Sequence, residues 1–287
     1  MEQWMMRDVR SVLCSVIAIA GLLMTAHAAA GLSPQEVSAQ APPSAAPAEA
    51  LPPAAEILAK AVDAMGGEKA FEAIKSLRME VTTTARGKDS RTELWAMAPD
   101  KVVVKQSYPN APIVVTMGRN GDIAWVDALG EVRQTPAARL AHFLDLAGIH
   151  RTVLDMQHDY GTIETVGREP FGEEDCYKLR LAGKKEYGPD EGKGDRFAYF
   201  SVETGRLVAV DAPQKKSPKL RAVAEYSEWK KFGTVKLFTR IDAKPSQMGI
   251  PKIIKIGTVE FNEVDESVFA VPEQLKQPAE NEGPAEP

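Results

Sequence analysis

The stretch TMGRNGDIAWVDALGEV, residues 116–132, places the strongest constraint on the architecture of this chain. Its Asn120-Gly121 pair is a strong turn signal, so the stretch is predicted to form a hairpin of two antiparallel strands. With the two residues before it, the hairpin has apolar residues on both faces: Val115, Met117, Ala124 and Val126 on one, and Val114, Ile123 and Trp125 on the other. A sheet with one solvated face would be polar on that face. Both faces of this hairpin therefore need a cover.

The same period of two dominates the chain after residue 76. Leu77, Met79, Val81 and Thr83 alternate with more polar residues, and similar runs recur as far as Asn262. Turn signals, most of them containing glycine, separate these runs. The pattern predicts about eleven strands, mostly joined as hairpins, in an antiparallel sheet large enough to curl.

Three segments are predicted to be helical. The first, AAEILAKAVDAMGG, has apolar residues at helical spacing and ends at Gly66-Gly67, a typical left-handed stop. The second, EKAFEAIKSL, places Phe71 and Ile74 on one side. The third spans residues 137–160 and is predicted to be two short amphipathic helices broken near Gly148. Together they could cover one face of the sheet.

The N-terminus has the three parts of a secretory signal peptide. Arg7 and Arg10 form a basic start, residues 12–24 are mostly apolar, and small residues follow at Ala26-His27-Ala28. Residues 1–28 are therefore predicted to be a signal peptide and the protein to be exported. An uncleaved N-terminal anchor is the alternative.

The rest of the chain divides into three parts. Residues 29–53 are rich in proline and alanine and predict a disordered tether. Residues 54–273 are predicted to form a single folded domain, and residues 274–287 an acidic disordered tail. With the signal peptide removed, Cys176 is the one remaining cysteine, so an intrachain disulfide is excluded.

A search for metal-binding residues favours no site. His142, His150 and His158 fall eight residues apart, and Gly148 breaks the helix that would carry them. Zinc ligands usually come in closer pairs. His142 with Asp145 is the one pair that warrants inspection in a structure. No metal and no cofactor is predicted.

The sequence also lacks the patterns of common catalytic and nucleic-acid-binding sites. It has no G-x-S-x-G nucleophile elbow, no C-x-x-C pair and no phosphate-binding glycine loop. Cys176 begins a strand and is predicted to be a small buried apolar residue. The net charge of −5, without a concentrated basic face, argues against a nucleic-acid partner.

Apolar residues on both faces of many strands leave two interpretations open. One is a two-layer core with isolated exposed apolar residues, which are normal in soluble proteins. The other is a curled sheet whose concave face, covered by the helices, encloses a cavity for an acyl chain.

Five segments, in their order along the chain, resemble the periplasmic outer-membrane lipoprotein carriers, the lipoprotein-sorting superfamily. They are ILAKAVDAMGGEKAFEAIKSLRMEV, APDKVVVK, GRNGDIAWVD, YSEWKKFGTVKLFTRI and VEFNEVDESVFAVP, which together cover most of residues 54–272. As a divergent member the chain has Lys101 and Lys105 where the carrier proper has an arginine, and Phe238 where a proline is expected. The resemblance implies an α+β fold, a strongly curved, unclosed antiparallel β-barrel wrapped around a few helices.

That resemblance also implies a function in the periplasm of the bacterial cell envelope. We expect a non-enzymatic protein that binds a lipid or a lipoprotein acyl chain in the half-barrel, in lipoprotein sorting to the outer membrane, with peripheral membrane contact as part of that role. The alternative is an envelope sensor or scaffold of the same fold that binds a protein partner and fills its interior with side chains.

Candidate site residues follow from both arguments. The ligand-lining candidates are Trp95, Met97, Ile123, Trp125, Tyr199, Phe200, Val223, Tyr226, Trp229 and Phe238. The lid candidates are Leu140, Phe143 and Leu144. The second face of the Trp125 hairpin is expected to lie under the lid helices, either alone or together with a lipid.

Overall fold

The computed structural model describes residues 50–109, 111–140, 143, 146–183, 195–214, 217–245 and 249–276. The predicted signal peptide, nearly all of the predicted tether and most of the predicted acidic tail lie outside these residues. Within the described part, no helix is both long enough and apolar enough to cross a membrane.

A single antiparallel sheet of thirteen strands forms the body of the domain. The strands are β1 Ser76–Ala85, β2 Lys88–Met97, β3 Lys101–Tyr108, β4 Ala111–Asn120, β5 Ile123–Ala128, β6 Glu131–Gln134, β7 Tyr160–Phe171, β8 Glu174–Gly183, β9 Arg196–Ser201, β10 Leu207–Gln214, β11 Ser217–Phe232, β12 Val235–Pro245 and β13 Lys252–Phe261. Their order is β6-β5-β4-β3-β2-β1-β13-β12-β11-β10-β9-β8-β7. The first and last strands pair at its middle, and β6 and β7 form two separate edges, so the predicted unclosed sheet is confirmed.

The sheet is curved around one core. Laid flat, thirteen strands would span roughly 58 Å at about 4.8 Å per strand. A single cluster of buried side chains nevertheless contains Met117 of β4 and Leu179 of β8, together with residues from the helices. The first helix, α1 (Ala54–Ala64), has 11 residues, about 16 Å, and could not cover a flat sheet of that width.

Two strands more than the expected eleven or so were found, and both are edge strands. β6 has four residues, and β7 alternates between half-buried and exposed residues without a fully buried one. Edge strands bury little surface and commonly carry charged residues. The apolar alternation that identified the interior strands is therefore weak in β6 and β7.

The helices lie in the predicted segments, but the third segment contains 3₁₀ turns as well as α-helix. The described helices are α1 Ala54–Ala64, α2 Glu68–Glu72 and α3 Met156–Asp159, with 3₁₀ turns at Ala137–Leu140, Gly148–Arg151, Glu266–Phe269 and Glu273–Leu275. The predicted break near Gly148 is present: Phe143, Leu146 and Ala147 are α-helical before it and α3 lies after it, with 3₁₀ turns at Ala137–Leu140 and Gly148–Arg151. Two side chains there bond to nearby carbonyls, Thr152 to Ile149 and His150 to Ala147, at 2.8 Å each. Such local bonds compete with regular helix.

The Trp125 face of the hairpin is covered by the C-terminal segment, residues 262–276. Trp125, Val103 and Phe269 form a buried cluster, against which Trp95, Met97, Val264, Val271 and Leu275 pack. The expectation that lid helices cover this face was wrong: the helices pack against the opposite, inner face. The C-terminal segment has neither helical nor strand periodicity, so its sequence does not predict that it covers this face.

Hydrogen bonds fix the start and middle of the C-terminal segment. The Asn262 side-chain oxygen accepts from the Lys75 backbone N–H at 2.6 Å, and its amide donates to the Ala73 carbonyl at 2.9 Å. Asp265 caps the following turn by accepting from Ser267 N–H at 2.8 Å. Asn120, in the hairpin turn, donates to the Phe269 carbonyl at 3.0 Å. Phe269 is thereby held over Trp125.

Gly118 makes room for the Trp125 indole. The two residues are cross-strand partners in β4 and β5, and a Cβ on Gly118 would lie 2.1 Å from Trp125 Cζ2. No side chain can occupy that position unless the indole moves away from the cluster.

We expect Gly118→Ala to lower the free energy of unfolding by about 1–3 kcal/mol, because it forces the indole off the sheet. Gly167→Ala is the matched control: Gly167 also lies in a strand, and a Cβ there meets no atom within 4 Å. Urea denaturation and the near-ultraviolet signal of tryptophan measure both variants. Equal stability of the two would show that the indole does not depend on Gly118.

Candidate functional site

The space between the sheet and the helices is the first candidate site. We define the lid segment as the described part of residues 137–159. Its side chains Leu140, Phe143, Leu146, Val153 and Met156 are buried against the inner face of the sheet. Across from them lie interior residues of nearly every central strand. The result is a continuous apolar layer inside the half-barrel.

That layer is filled by side chains. One cavity in this layer has a volume of about 10 Å³ and is lined by Leu77, Met79, Ile149, His150, Leu237, Phe238, Ile256 and Val259. This is near the smallest volume that holds one water molecule. An acyl chain can therefore enter only if the lid segment or its side chains move.

His150 is the polar group of the lid segment that lines this cavity. Its ring lies 6.3 Å from the ring of Phe71 and 5.8 Å from that of Phe261, and its Nδ1–H donates to the Ala147 carbonyl at 2.8 Å. Burial lowers the pKa of His150 from 6.5 to about 4, although the Ala147 carbonyl opposes this shift. The closed lid thus contains a neutral imidazole at neutral pH.

Gln106 is a second buried polar group on the inner face. Its side chain is 1% exposed, and its Nε2 finds no hydrogen-bond partner among the described residues. It follows Val102 and Val104 at the strand period of β3 and pairs across the sheet with Thr92. A buried amide without a partner costs about 1–3 kcal/mol. The same amide could donate to a carbonyl that enters the half-barrel.

The structure distributes the predicted lining residues over three places. Phe200, Phe238, Tyr226 and Trp229 belong to the inner layer. Trp95, Met97 and Trp125 lie on the outer face, under the C-terminal segment, while Ile123 is 38% exposed. Tyr199 and Val223 belong to a separate cluster with Cys176 and Ala209. Of the predicted lid residues, Leu140 and Phe143 are buried in the inner layer, and Leu144 lies outside the described residues.

Tyr226 and Trp229 share the inner layer although they are three residues apart in one strand. Glu228, between them, has a left-handed φ of 55°. This interrupts the alternation of β11, and both rings contact Phe238, with centroids at 4.7 and 5.6 Å. Strict alternation would have placed the two rings on opposite faces of the sheet.

The outer face carries a groove beside the C-terminal segment. We call it the outer groove: it has a volume of about 360 Å³ and is lined by Trp95, Val103, Lys105, Thr116, Trp125, Asp127, Val268, Ala270 and Pro272. This is within the usual size of ligand sites. The sequence did not predict the groove, because one of its walls is the C-terminal segment. The part of that segment that carries Phe269 was recognised only as the VEFNEVDESVFAVP resemblance.

The side chains of the described regions give little indication of a catalytic nucleophile or a metal site. Burial raises the pKa of the Cys176 thiol to about 11, so the weakly nucleophilic thiol form persists at neutral pH. Within those regions no three His, Cys, Asp or Glu side chains are grouped closely enough to hold a metal ion. His142 and Asp145 lie outside them.

Solved structures share this fold. The chain is similar to a DUF1329 family protein from Desulfovibrio piger, with 16% identity, coverage of 78% of this chain and 99% of that one, and a TM-score of 0.51. It is also similar to a LolA superfamily protein from Nitrosomonas europaea, with 14% identity, 77% and 99% coverage, and a TM-score of 0.50. No protein-family model and no curated protein matches the sequence. The resemblance to lipoprotein-sorting proteins is thus confirmed as a shared fold.

We expect acid to destabilise the lid through His150. The folded protein binds a proton there near pH 4, and the unfolded chain near pH 6.5. Stability is therefore complete above about pH 6.5 and is lost as the pH falls towards 4, by up to about 3 kcal/mol. His150→Phe preserves a ring between Phe71 and Phe261 but cannot be protonated.

Urea denaturation at pH 7 and pH 4.5 measures this effect. The wild type should lose about 2–3 kcal/mol more than His150→Phe over that range. Equal losses in the two proteins would mean that His150 does not titrate with lid opening.

Proposed function

We propose that this protein is an exported, non-enzymatic carrier that holds a lipid or a lipoprotein acyl chain between the inner face of its sheet and the lid segment, in lipoprotein sorting to the outer membrane. The proposal rests on the continuous apolar inner face of an unclosed sheet, covered by a layer that includes short helical turns. Its fold, shared with a LolA superfamily protein, is consistent with this role.

Binding would require the lid segment to exchange places with the ligand. In the closed state, Phe143 and the other lid side chains occupy the inner face. An acyl chain that replaces them regains about 0.8 kcal/mol for each methylene it buries. The ligand would thus shift the population from a closed, filled state to an open, occupied one.

Gln106 would give this site a preference for a particular chemical class. Its Nε2 is a hydrogen-bond donor in otherwise apolar surroundings, without a described partner in the closed state. Ester and amide carbonyls, which join acyl chains to lipids and lipoproteins, accept such a bond. A bare hydrocarbon would leave the amide unsatisfied.

A protein-binding scaffold is the second candidate function, and the filled interior favours it. Among the described residues, the edge strand β7, Tyr160–Phe171, has 12 residues and pairs as a strand on one side only, with β8. Val166 in this strand is 45% exposed. Such an edge can accept an extended segment of a partner protein. This function would need neither a cavity nor a lid movement.

We expect Gln106→Leu to stabilise the empty protein and to weaken lipid binding. Removal of a buried donor without a described partner should raise the free energy of unfolding by about 1 kcal/mol, and the loss of the carbonyl bond should reduce phosphatidylethanolamine binding several-fold. Gln134→Leu, an identical change at an exposed position in β6, is the matched control.

Thermal denaturation and native mass spectrometry with added phosphatidylethanolamine measure the two effects. The carrier proposal fails if neither the wild type nor Gln134→Leu takes up the lipid. Equal lipid uptake by the wild type and Gln106→Leu would remove Gln106 from the site.

A further inference from the structure

The outer groove lies in the most apolar exposed surface of the β4–β5 hairpin. Trp95, Trp125 and Val268 line it, and Val114 and Ile123 are exposed beyond it, with 54% and 38% of their surfaces accessible. Val114 and Ile123 belong to the same face of the hairpin as Trp125, at its two ends. The outer groove thus continues into apolar surface in both directions, on the face opposite to the lid segment.

Three polar side chains of the outer groove form one row across the sheet. Lys105 pairs with Thr116, and Thr116 pairs with Asp127. Lys105 Nζ lies 5.4 Å from the centre of the Trp95 ring. Asp127 Oδ1 accepts a hydrogen bond from the Gly130 backbone N–H at 3.2 Å. The ammonium group therefore lies beside the apolar part of the groove, while the carboxylate is bonded to the turn that follows β5.

The backbone beneath the outer groove has few free hydrogen-bonding groups with which to bind a peptide. The floor belongs to β3, β4 and β5, and each of these strands pairs with neighbours on both sides. Their N–H and C=O groups are used in the sheet. A peptide in the outer groove would bury its own backbone groups against indole and aliphatic surface, which is costly without partners. A molecule with one polar end and a long apolar part fits better.

Charge and length specify that molecule further. Lys105 lies opposite Glu93 in β2, but no ion pair joins the two among the described residues, so the ammonium group can bind a carboxylate, to which the Thr116 hydroxyl can donate a second hydrogen bond. From Thr116 to the end of β4 at Asn120 is four residues, about 13 Å of strand. Phe269 lies over Trp125 on that stretch, so an alkyl chain fits instead between Trp95 and the wall that Val268, Ala270 and Pro272 form.

We infer that the outer groove is a second ligand site, which binds a long-chain fatty acid with its carboxylate at Lys105 and its chain beside Trp95 and Trp125. This site is separate from the inner face that the proposed carrier function uses. It does not require the lid segment to open.

Tryptophan quenching by 9,10-dibromostearate distinguishes the two sites, because bromine quenches only nearby indoles. Trp4, in the predicted signal peptide, is replaced by Phe in every protein compared. With Trp229→Phe, only Trp95 and Trp125 remain, and they report on the outer groove. With Trp95→Phe and Trp125→Phe together, only Trp229 remains, and it reports on the inner layer.

We expect dibromostearate to quench the Trp229→Phe protein in a saturable manner. Lys105→Glu in that background should weaken the apparent affinity about tenfold, and added salt should weaken it as well. Lys105→Arg should retain binding, and so should Lys88→Glu, which changes an exposed lysine at the start of β2. These charge changes leave the apolar packing intact. They can also be tested in the protein that retains Trp95, Trp125 and Trp229, by measuring how readily bound dibromostearate is displaced.

Three results would overturn the inference. Quenching of Trp229 alone would place the fatty acid on the inner face, which supports the carrier function and excludes the outer groove. Quenching of Trp95 and Trp125 that is equal in Lys105→Glu and Lys88→Glu would exclude a carboxylate at Lys105. Absence of quenching in all proteins would exclude fatty acid binding at both sites.

Discussion

The packing of Trp125 across Gly118 and beneath Phe269 is the contact on which the rest of this architecture depends. It joins the last segment of the domain to the middle of a hairpin that lies five strands away from β13 in the sheet. Because β13 also pairs with β1, the last strand and the segment that follows it connect the middle of the sheet to this hairpin. The outer face is thereby covered by the chain itself, and the helices are left to cover the inner face alone.

Because different segments cover the two faces of the sheet, the contacts that stabilise the sheet are separate from those that a ligand would replace. The outer cluster and the strand pairing can stabilise the sheet whether or not the lid segment is in place. The lid segment, by contrast, is held mainly by apolar contacts, and it brings a neutral His150 into the interior. Contacts of that kind can be exchanged for an acyl chain of similar size at small net cost. A filled interior in the closed state is then compatible with a carrier.

The sequence was sufficient to predict the sheet but only part of the candidate sites. Strict alternation from Leu77 to Thr83 and the Asn120-Gly121 turn identified strands and their faces, because burial on one face fixes side-chain parity. β6 and β7 escaped detection because edge strands bury little. The outer groove could not be predicted, since its wall is a segment without periodicity. The left-handed Glu228 shifts the alternation of β11, so that Tyr226 and Trp229 share a face, which strand periodicity alone does not indicate.

Native mass spectrometry with lipid extraction, on the protein isolated from a cell-envelope fraction, tests the central claim most directly. The carrier account predicts a co-purified phospholipid or acylated protein in about equal amount with the chain, and its loss when the lid segment is held closed. A bare protein mass that stays unchanged after incubation with envelope lipids would contradict this account. The filled half-barrel would then be a scaffold, and its partners would be proteins.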